Sequence, residues 1–243
     1  MLNKIITFCK INFYDCDYNY IKKILFEKKG YLVIPAASSL VDIKHSSEYR
    51  IALQKASIAI FDSGYFCLCL LIKFIKVKKF SGYKFIGKLI NDSELKKKKI
   101  LSLDPSINQS KKNLYFLKSK KFKFIKNYVC PIYQKNNIND VRLFQIITKY
   151  NPNIIIINIG GGVQEILAYK INHKYKYKYS IICSGAALSF YTNKGLINKT
   201  IDRIYLGWFF RLLNNPKIFI KRIILSIPLI LYVLFSRIKV TYK

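Results

Sequence analysis

The sequence of 243 residues is 51% hydrophobic and carries 43 Lys and Arg against 12 Asp and Glu, a formal net charge of +31. This apolar content suffices for the core of one domain, or of one domain with an appendage, and excludes disordered, collagen-like and coiled-coil chains. The positive charge favours polyanionic partners such as anionic lipids, diphosphates or nucleic acid. It is equally expected of a protein encoded by an AT-rich genome, so charge alone assigns no partner.

Cysteine usage points away from metal binding. No C-x-x-C pair occurs among the six cysteines, and only two histidines accompany them. Since a zinc site needs four close ligands at characteristic spacings, the sequence predicts no metal and no cofactor. Scattered cysteines in apolar surroundings are typical of a reducing compartment. The N-terminus lacks the cleavage site of a secretory signal, and we therefore expect a cytoplasmic protein.

In chain order, the first half of the sequence alternates short β-branched runs with amphipathic stretches. The predicted elements are a strand over 31–34, a helix over 47–56 capped by Ser46, a strand over 58–61 and a buried helix over 65–75. The second of these strands ends at Asp62-Ser63-Gly64. These elements already suggest a domain in which strands and helices alternate.

The second half repeats this alternation more sharply, although the Lys-rich residues 111–126 give only a weak pattern. The predicted elements are strands over 100–103, 154–159 and 180–183 and helices over 140–150 and 163–174. We therefore expect an α/β fold with a mostly parallel sheet flanked by helices. Such sheets bind ligands at the carboxyl ends of their strands, so Asp62 and Gly160-Gly161-Gly162 are expected to share one cleft edge.

Each of these two features has two interpretations. The triple glycine is either a loop whose backbone N–H groups bind a phosphate or a tight turn between a strand and a helix. Asp62 is either a general base that points into a cleft or a turn and capping residue. Gln164 and Glu165 fall in the first turn of the following helix, where the helix dipole favours a carboxylate.

Four segments carry a family resemblance. They are F-D-S-G-Y at 61–65, I-G-G-G-V-Q-E at 159–165, G-A-A-L-S-F at 185–190, and L-G-W-x-x-R followed by a proline at 206–216. Their order and spacing resemble the WecG/TagA/CpsF family of bacterial glycosyltransferases, and the resemblance spans roughly residues 31–222. It implies an inverting transfer of an N-acetylmannosamine-type sugar from a UDP donor to a polyprenyl-diphosphate-linked saccharide, in surface polysaccharide or teichoic acid biosynthesis.

The resemblance also implies roles for individual residues. Asp62 matches the general base of the family. The implied substrate-binding residues are Ser63, Gly64, Gly160, Gly161, Gly162, Gln164, Glu165, Arg203, Arg211 and Arg222. The arginines would clamp the diphosphate, because a guanidinium binds phosphate oxygens in a bidentate way. For each arginine, the alternative is a position on a solvated helix face.

Two departures from the family pattern keep other functions open. An asparagine expected after the first strand is absent from 35–39, and Gly162-Val163 stands where the family has Pro-Lys. A degenerate relative that serves as a membrane-surface scaffold is therefore an alternative to an enzyme. A nucleic-acid-binding protein is a further alternative, since residues 111–126 interleave lysines with aromatic residues. No nucleic-acid-binding motif is recognisable, and we expect no such partner.

The last part of the sequence predicts contact with a membrane. We expect the α/β domain to cover residues 1–215 and a basic, apolar helical segment to cover 216–243. Its apolar run over 223–235 covers 13 residues and contains Pro228, whereas a membrane-spanning helix needs about 20 apolar residues. We therefore expect an anchor that lies on the anionic inner face of the cell membrane. A core helix and a single membrane-spanning helix are the alternatives.

Overall fold

The computed structural model describes residues 3–134, 137–192, 220 and 223–242. Within these residues, the strands are β1 (Lys4–Phe8), β2 (Ile11–Asp15), β3 (Gly30–Val33), β4 (Ile58–Ile60), β5 (Lys99–Asp104), β6 (Phe124–Val129), β7 (Ile154–Ile157), β8 (Ser180–Cys183) and β9 (Lys239–Tyr242). They form one sheet in the order β6-β5-β7-β8-β3-β4-β2-β1-β9. The strands from β6 to β2 run parallel, whereas β1 and β9 extend the sheet with antiparallel pairings.

Helices cover both faces of this sheet. In the described part of the chain they are α1 (Tyr18–Glu27), α2 (Ala37–Val41), α3 (Ser47–Gln54), α4 (Gly64–Ile72), α5 (Gly82–Asn91), α6 (Ile107–Ser119), α7 (Val141–Tyr150), α8 (Val163–Lys174), α9 (Ser189–Thr192) and α10 (Leu229–Phe235). The buried side chains of α2, α3, α4, α7, α8 and α10 share one core, and those of α1, α5 and α6 share the other. The predicted α/β fold with a mostly parallel sheet is confirmed.

The central strands form where the sequence predicted them because both of their faces are covered. All four residues of β7 and all four of β8 are buried, which explains the continuous apolar runs in the sequence. The predicted cap at Ser46 is present, and Asp140 caps α7, a role that the sequence did not assign. Ser46 Oγ accepts a hydrogen bond from Tyr49 N, and Asp140 Oδ1 accepts one from Leu143 N.

Two features differ from the expectation. The N-terminal hairpin of β1 and β2 was not predicted, because its turn places Cys9 and Lys10 at φ 51° and 64° without a glycine or asparagine to signal it. The helix expected over 65–75 is α4, and it is buried on only one side. Its outward side chains are exposed although they are apolar.

The described residues of the expected C-terminal segment pack on the α/β domain and add a strand to its sheet. Leu229 and Val233 on α10 are fully buried in the core under α2 and α4. β9 pairs with β1 and forms one edge of the sheet. These residues are therefore part of the α/β fold, while the proposed boundary at residue 215 lies outside the described residues. No helix within the described residues is long and apolar enough to cross a membrane.

Candidate active site

The candidate site lies along the carboxyl ends of four neighbouring parallel strands, β7, β8, β3 and β4. The loops that follow these strands emerge at one edge of the sheet, as in other open α/β sheets. Asp62 follows β4, and Gly160-Gly161-Gly162 follows β7. Three inter-strand spacings separate the two loops, which corresponds to about 14 Å. The sequence expectation that both share one edge agrees with this topology.

Neighbouring loops and helix starts lie in close contact along this edge of the sheet. A Cβ atom added to Gly161 would lie 3.5 Å from Ser39 Oγ on α2. A Cβ atom added to Gly82 would lie 3.2 Å from the Ile34 side chain after β3 and 3.5 Å from Ala187 Cβ after β8. The first turn of α5 therefore packs against the loops that follow β3 and β8.

Asp62 is half-buried, and the first turn of α5 fixes its side chain. Its Oδ1 atom accepts a hydrogen bond from the backbone N–H of Gly82 at 2.9 Å, and Gly82 is the first residue of α5. The positive end of the α5 dipole thus faces the carboxylate. This contact is the one expected of a capping residue, which is one of the two interpretations of Asp62.

Ser63 and Gly64, expected to bind substrate, form the start of α4. Ser63 Oγ accepts a hydrogen bond from Phe66 N at 3.2 Å and caps the helix. Gly64 is the first helical residue. Their contacts in the structure are those of a helix start, which stabilises the loop that carries Asp62.

The glycine loop divides into an open part and a closed part. Gly160 and Gly161 are exposed, and a Cβ atom on Gly160 would meet nothing within 4 Å. Gly162 is buried at φ 88°, a conformation that favours glycine. Its N–H donates to Glu165 Oε2 at 2.6 Å, so this N–H is not available to a phosphate. Only the first two glycines therefore border open space.

Gln164 and Glu165 connect this loop to the loop after β8. Gln164 Oε1 accepts a hydrogen bond from Gly185 N at 2.9 Å, and Gln164 Nε2 donates to Glu165 Oε1 at 3.0 Å. Both side chains are almost fully buried. Burial and the Glu165 carboxylate raise the pKa of the Cys183 thiol, which therefore stays protonated beside it. The two residues therefore fix the loop after β7 against the loop after β8.

A buried carboxylate at the end of β5, Asp104, was not singled out by the sequence. Its Oδ1 accepts hydrogen bonds from Ser102 Oγ (2.9 Å), Asn113 Nδ2 (2.6 Å) and Asn158 Nδ2 (2.8 Å), and its Oδ2 accepts one from Asn127 Nδ2 (2.8 Å). The side chain is completely buried. Four neutral donors therefore satisfy both oxygens of this buried carboxyl group.

The Asp104 network reaches the candidate site through Asn158. Ser184 Oγ, after β8, donates to Asn158 Oδ1 at 2.5 Å. The loops after β5, β7 and β8 are thus held together below the crevice. A signal for this network is present in the sequence: Ser102 and Asp104 alternate with leucines, so two polar side chains share one face of a buried strand.

A pair of aromatic rings lies next to Asp62's partner Gly82. Tyr83 and Tyr191 stack with ring centroids 4.4 Å apart and an interplanar angle of 5°. Tyr191 Oη also donates to the backbone oxygen of Tyr83 at 2.8 Å. The pair connects α9, after β8, to the first turn of α5. It gives this end of the crevice a rigid apolar wall.

Three further candidates fall outside the described residues: Arg203, Arg211 and Arg222. Within the described residues, no group of three or more His, Cys, Asp or Glu side chains is arranged to hold a metal ion. The described part of this sheet edge thus presents the half-buried Asp62 carboxylate, the exposed backbone of Gly160 and Gly161, and buried polar side chains that fix the loops.

Comparison with known families identifies the chain. The sequence model described as Glycosyl transferase WecG/TagA/CpsF family matches residues 6–243, nearly the whole chain. The chain belongs to this family. Members of the WecG/TagA/CpsF family are glycosyltransferases of cell-envelope polysaccharide synthesis, so the protein is a glycosyltransferase by family. No curated protein gives a significant match.

The extent of the match is informative about the fold. It begins within β1 and runs through β9, so the strands at both ends of the WecG/TagA/CpsF glycosyltransferase sequence belong to the shared region. The matched region therefore includes both strands of the antiparallel edge of this chain. It also includes residues 216–243, whose assignment to a separate segment stays a prediction.

Proposed function

We propose that the protein is an inverting glycosyltransferase that moves an N-acetylmannosamine-type sugar from a UDP donor to a polyprenyl-diphosphate-linked saccharide. One observation carries the proposal: the Asp62 carboxylate, fixed by Gly82 N, lies at the same sheet edge as the open glycines of the loop after β7. Membership of the WecG/TagA/CpsF family supports the reaction class.

In the proposed reaction, Asp62 takes the proton of the acceptor hydroxyl as that oxygen attacks the anomeric carbon of the donor. The new bond forms on the face opposite to UDP, and the bond between the sugar and the diphosphate oxygen breaks. Its electron pair leaves with UDP, and the configuration at the anomeric carbon is inverted. The hydrogen bond from Gly82 N orients the carboxylate without neutralising it.

The donor diphosphate is proposed to lie at Gly160 and Gly161, which border open space. Because Glu165 occupies the N–H of Gly162, binding there depends on the first two glycines and on cations from elsewhere. Arg203, Arg211 and Arg222 are the proposed clamps for the charge that develops on the leaving diphosphate. Gln164 and Glu165 support the site by fixing the loops rather than by touching the donor.

The proposed acceptor is lipid-linked, which places the enzyme on the inner face of the cell membrane. The C-terminal segment is apolar and basic and fits an anionic lipid surface. The proposed setting is therefore cytoplasmic and peripheral, in surface polysaccharide or teichoic acid synthesis.

A transfer assay tests this function. The full chain is incubated with a panel of UDP-sugars and a short-chain polyprenyl-diphosphate saccharide, and UDP release and the lipid-linked product are measured together. We expect UDP release to require both substrates, and we expect the anomeric configuration of the product, read by NMR, to be opposite to that of the donor. Absence of transfer across the panel in the folded protein would favour the non-catalytic scaffold.

A further inference from the structure

Helix α4 has an unusual surface for a helix that separates a core from solvent. Its sequence, G-Y-F-C-L-C-L-L-I, contains no charged residue. Phe66, Cys69 and Leu70 pack into the core, as expected. The opposite face consists of Leu68, Leu71 and Ile72, which are all more than half exposed. A surface helix normally carries polar residues at such positions. This exposed apolar face therefore indicates a contact with an apolar partner surface, such as another protein or a membrane.

The residue that follows the end of α4 continues this face. Phe74 is 96% exposed and has φ 59°, a left-handed conformation that is uncommon for an aromatic residue. Phe74 N donates to Leu71 O at 2.8 Å, which holds the ring at the end of the helix. The structure thus presents a large apolar side chain to solvent from a defined backbone position.

Helix α10 repeats the pattern beside α4. Its buried residues are Leu229 and Val233, whereas Leu231, Leu234 and Phe235 are exposed and recur at the spacing of one helix face. The exposed apolar residues of α4, of residues 223–227 and of α10, together with Phe74, are here called the α4–α10 surface. They are Leu68, Leu71, Ile72, Phe74, Ile223, Ile224, Leu225, Ile227, Leu231, Leu234 and Phe235.

Hydrogen bonds between the two helices make the α4–α10 surface one rigid unit. At one end, Tyr65 Oη donates to Ile227 O at 3.3 Å. At the other end, Lys73 Nζ donates to Leu234 O at 3.2 Å and to Ser236 O at 3.0 Å. The two helices therefore lie side by side and run in the same direction.

The charges of the segments that contain α4 and α10 indicate which kind of partner would bind the α4–α10 surface. Residues 63–81 contain four lysines and no Asp or Glu, and residues 223–242 contain Arg237 and Lys239 and no acidic residue. Within these two segments, apolar residues are combined with positive charges only. This is the pattern expected for an anionic bilayer, where apolar groups enter the headgroup boundary and cations meet lipid phosphates.

We propose that the α4–α10 surface docks on an anionic membrane, with α4 and Phe74 as a membrane contact in addition to the C-terminal segment. The inference rests on the proposed function in one respect, namely that the acceptor lies in a membrane. α4 begins two residues after Asp62, so docking through this surface keeps the candidate base within about one helix length, roughly 14 Å, of the docked end of α4. The docked orientation then follows from the fold.

Vesicle sedimentation tests the surface with a matched pair of variants. The first carries Leu71→Gln, Ile72→Gln and Phe74→Gln. The control carries Ile107→Gln, Ile132→Gln and Val141→Gln, which alter equally exposed apolar side chains elsewhere, Ile132 being 99% exposed. On vesicles with about a third anionic lipid, we expect the first variant to lose at least tenfold in partitioning and the control to bind like the parent. Raised salt is expected to weaken binding of the parent.

Two outcomes would overturn the proposal. One is equal partitioning of the first variant and the parent, and the other is a parent that does not bind vesicles but forms a dimer that the first variant abolishes. A soluble, short-chain acceptor separates this question from the proposed function. With that acceptor, the first variant is expected to retain the transfer rate of the parent, whereas failure of the proposed function would remove transfer from the parent itself.

Discussion

Asp62 Oδ1 accepts the backbone N–H of Gly82 at 2.9 Å, which couples the end of β4 to the first turn of α5. Asp62 is the carboxylate that is proposed to react. The bond joins it to α5, whose buried side chains belong to the core on the other face of the sheet from α4. The position of this carboxylate thus depends on packing on both faces of the sheet.

This relationship allows a clean test of the base. Asp62→Asn keeps an oxygen that can accept from Gly82 N but removes the proton acceptor. We expect turnover to fall by about 10²–10⁴-fold with unfolding behaviour unchanged. Glu27→Gln is a suitable control, since it neutralises an exposed carboxyl at the end of α1. Turnover of Asp62→Asn within a few fold of the parent would remove Asp62 from the mechanism.

The two parts of the glycine loop should respond differently to substitution. Gly161→Val meets only Ser39 Oγ, so we expect the fold to remain intact and UDP binding, measured by calorimetry, to weaken. Gly162→Ala forces a side chain into φ 88° and should lower the free energy of unfolding by about 1–3 kcal/mol. If Gly161→Val binds UDP like the parent, the loop serves only as a turn.

The Asp104 network predicts a pH-dependent defect. Asn158→Asp places a second carboxyl within hydrogen-bonding distance of Asp104, where both cannot be ionised without a large cost. The pKa of the pair is then raised in the folded state. Stability is therefore retained at low pH and lost as pH rises through that folded pKa. At pH 7 we expect a loss of at least about 2 kcal/mol relative to the parent.

Chemical denaturation at several pH values measures this effect. Asn153→Asp provides the control, because Asn153 is exposed and its Oδ1 accepts from Lys99 N, a role that a carboxylate can also fill. A pH-independent loss in Asn158→Asp, equal in size at pH 4.5 and pH 7, would contradict the electrostatic explanation.

Helix α10 can be tested by two substitutions on opposite faces. Leu229→Ala removes a fully buried side chain and should lower the free energy of unfolding by about 2–5 kcal/mol. Leu231→Ala alters a half-exposed residue two positions away and should change it by about 0.5 kcal/mol or less. Equal small effects in urea denaturation would mean that α10 does not pack on the domain in solution.

The sequence predicted the elements whose pattern depends on local burial. The strands over 31–34, 58–61, 100–103, 154–159 and 180–183 correspond to β3, β4, β5, β7 and β8, because sheets covered on both faces require continuous apolar runs. The hairpin of β1 and β2 escaped prediction because Cys9 and Lys10 occupy its turn. β9 was not predicted, because β1, the strand with which it pairs, lies more than 230 residues away in the sequence.

The site was predictable to the extent that it follows from topology. Parallel strands bring Asp62 and the glycine loop to one edge, and this could be inferred from the order of elements. The hydrogen bond from Gly162 N to Glu165 agrees with the helix-start interpretation of Glu165, whereas its substrate-binding role stays a prediction. Ser102 and Asp104 alternate with leucines, which signals two buried polar side chains, but their partners could not be inferred. Those asparagines lie on α6, on β6 and directly after β7, and their convergence is a property of the folded chain.

The pairing of β1 with β9 has a consequence for synthesis. Ile5 lies opposite Thr241, so the outer edge of β1 has no partner until the ribosome has added more than 230 further residues. At roughly 5–20 residues per second, this interval lasts roughly 10–50 s. An unpaired strand edge is a template for association with other chains during that time. The yield of folded protein should therefore respond to chaperone supply and growth temperature more strongly than its final stability would suggest.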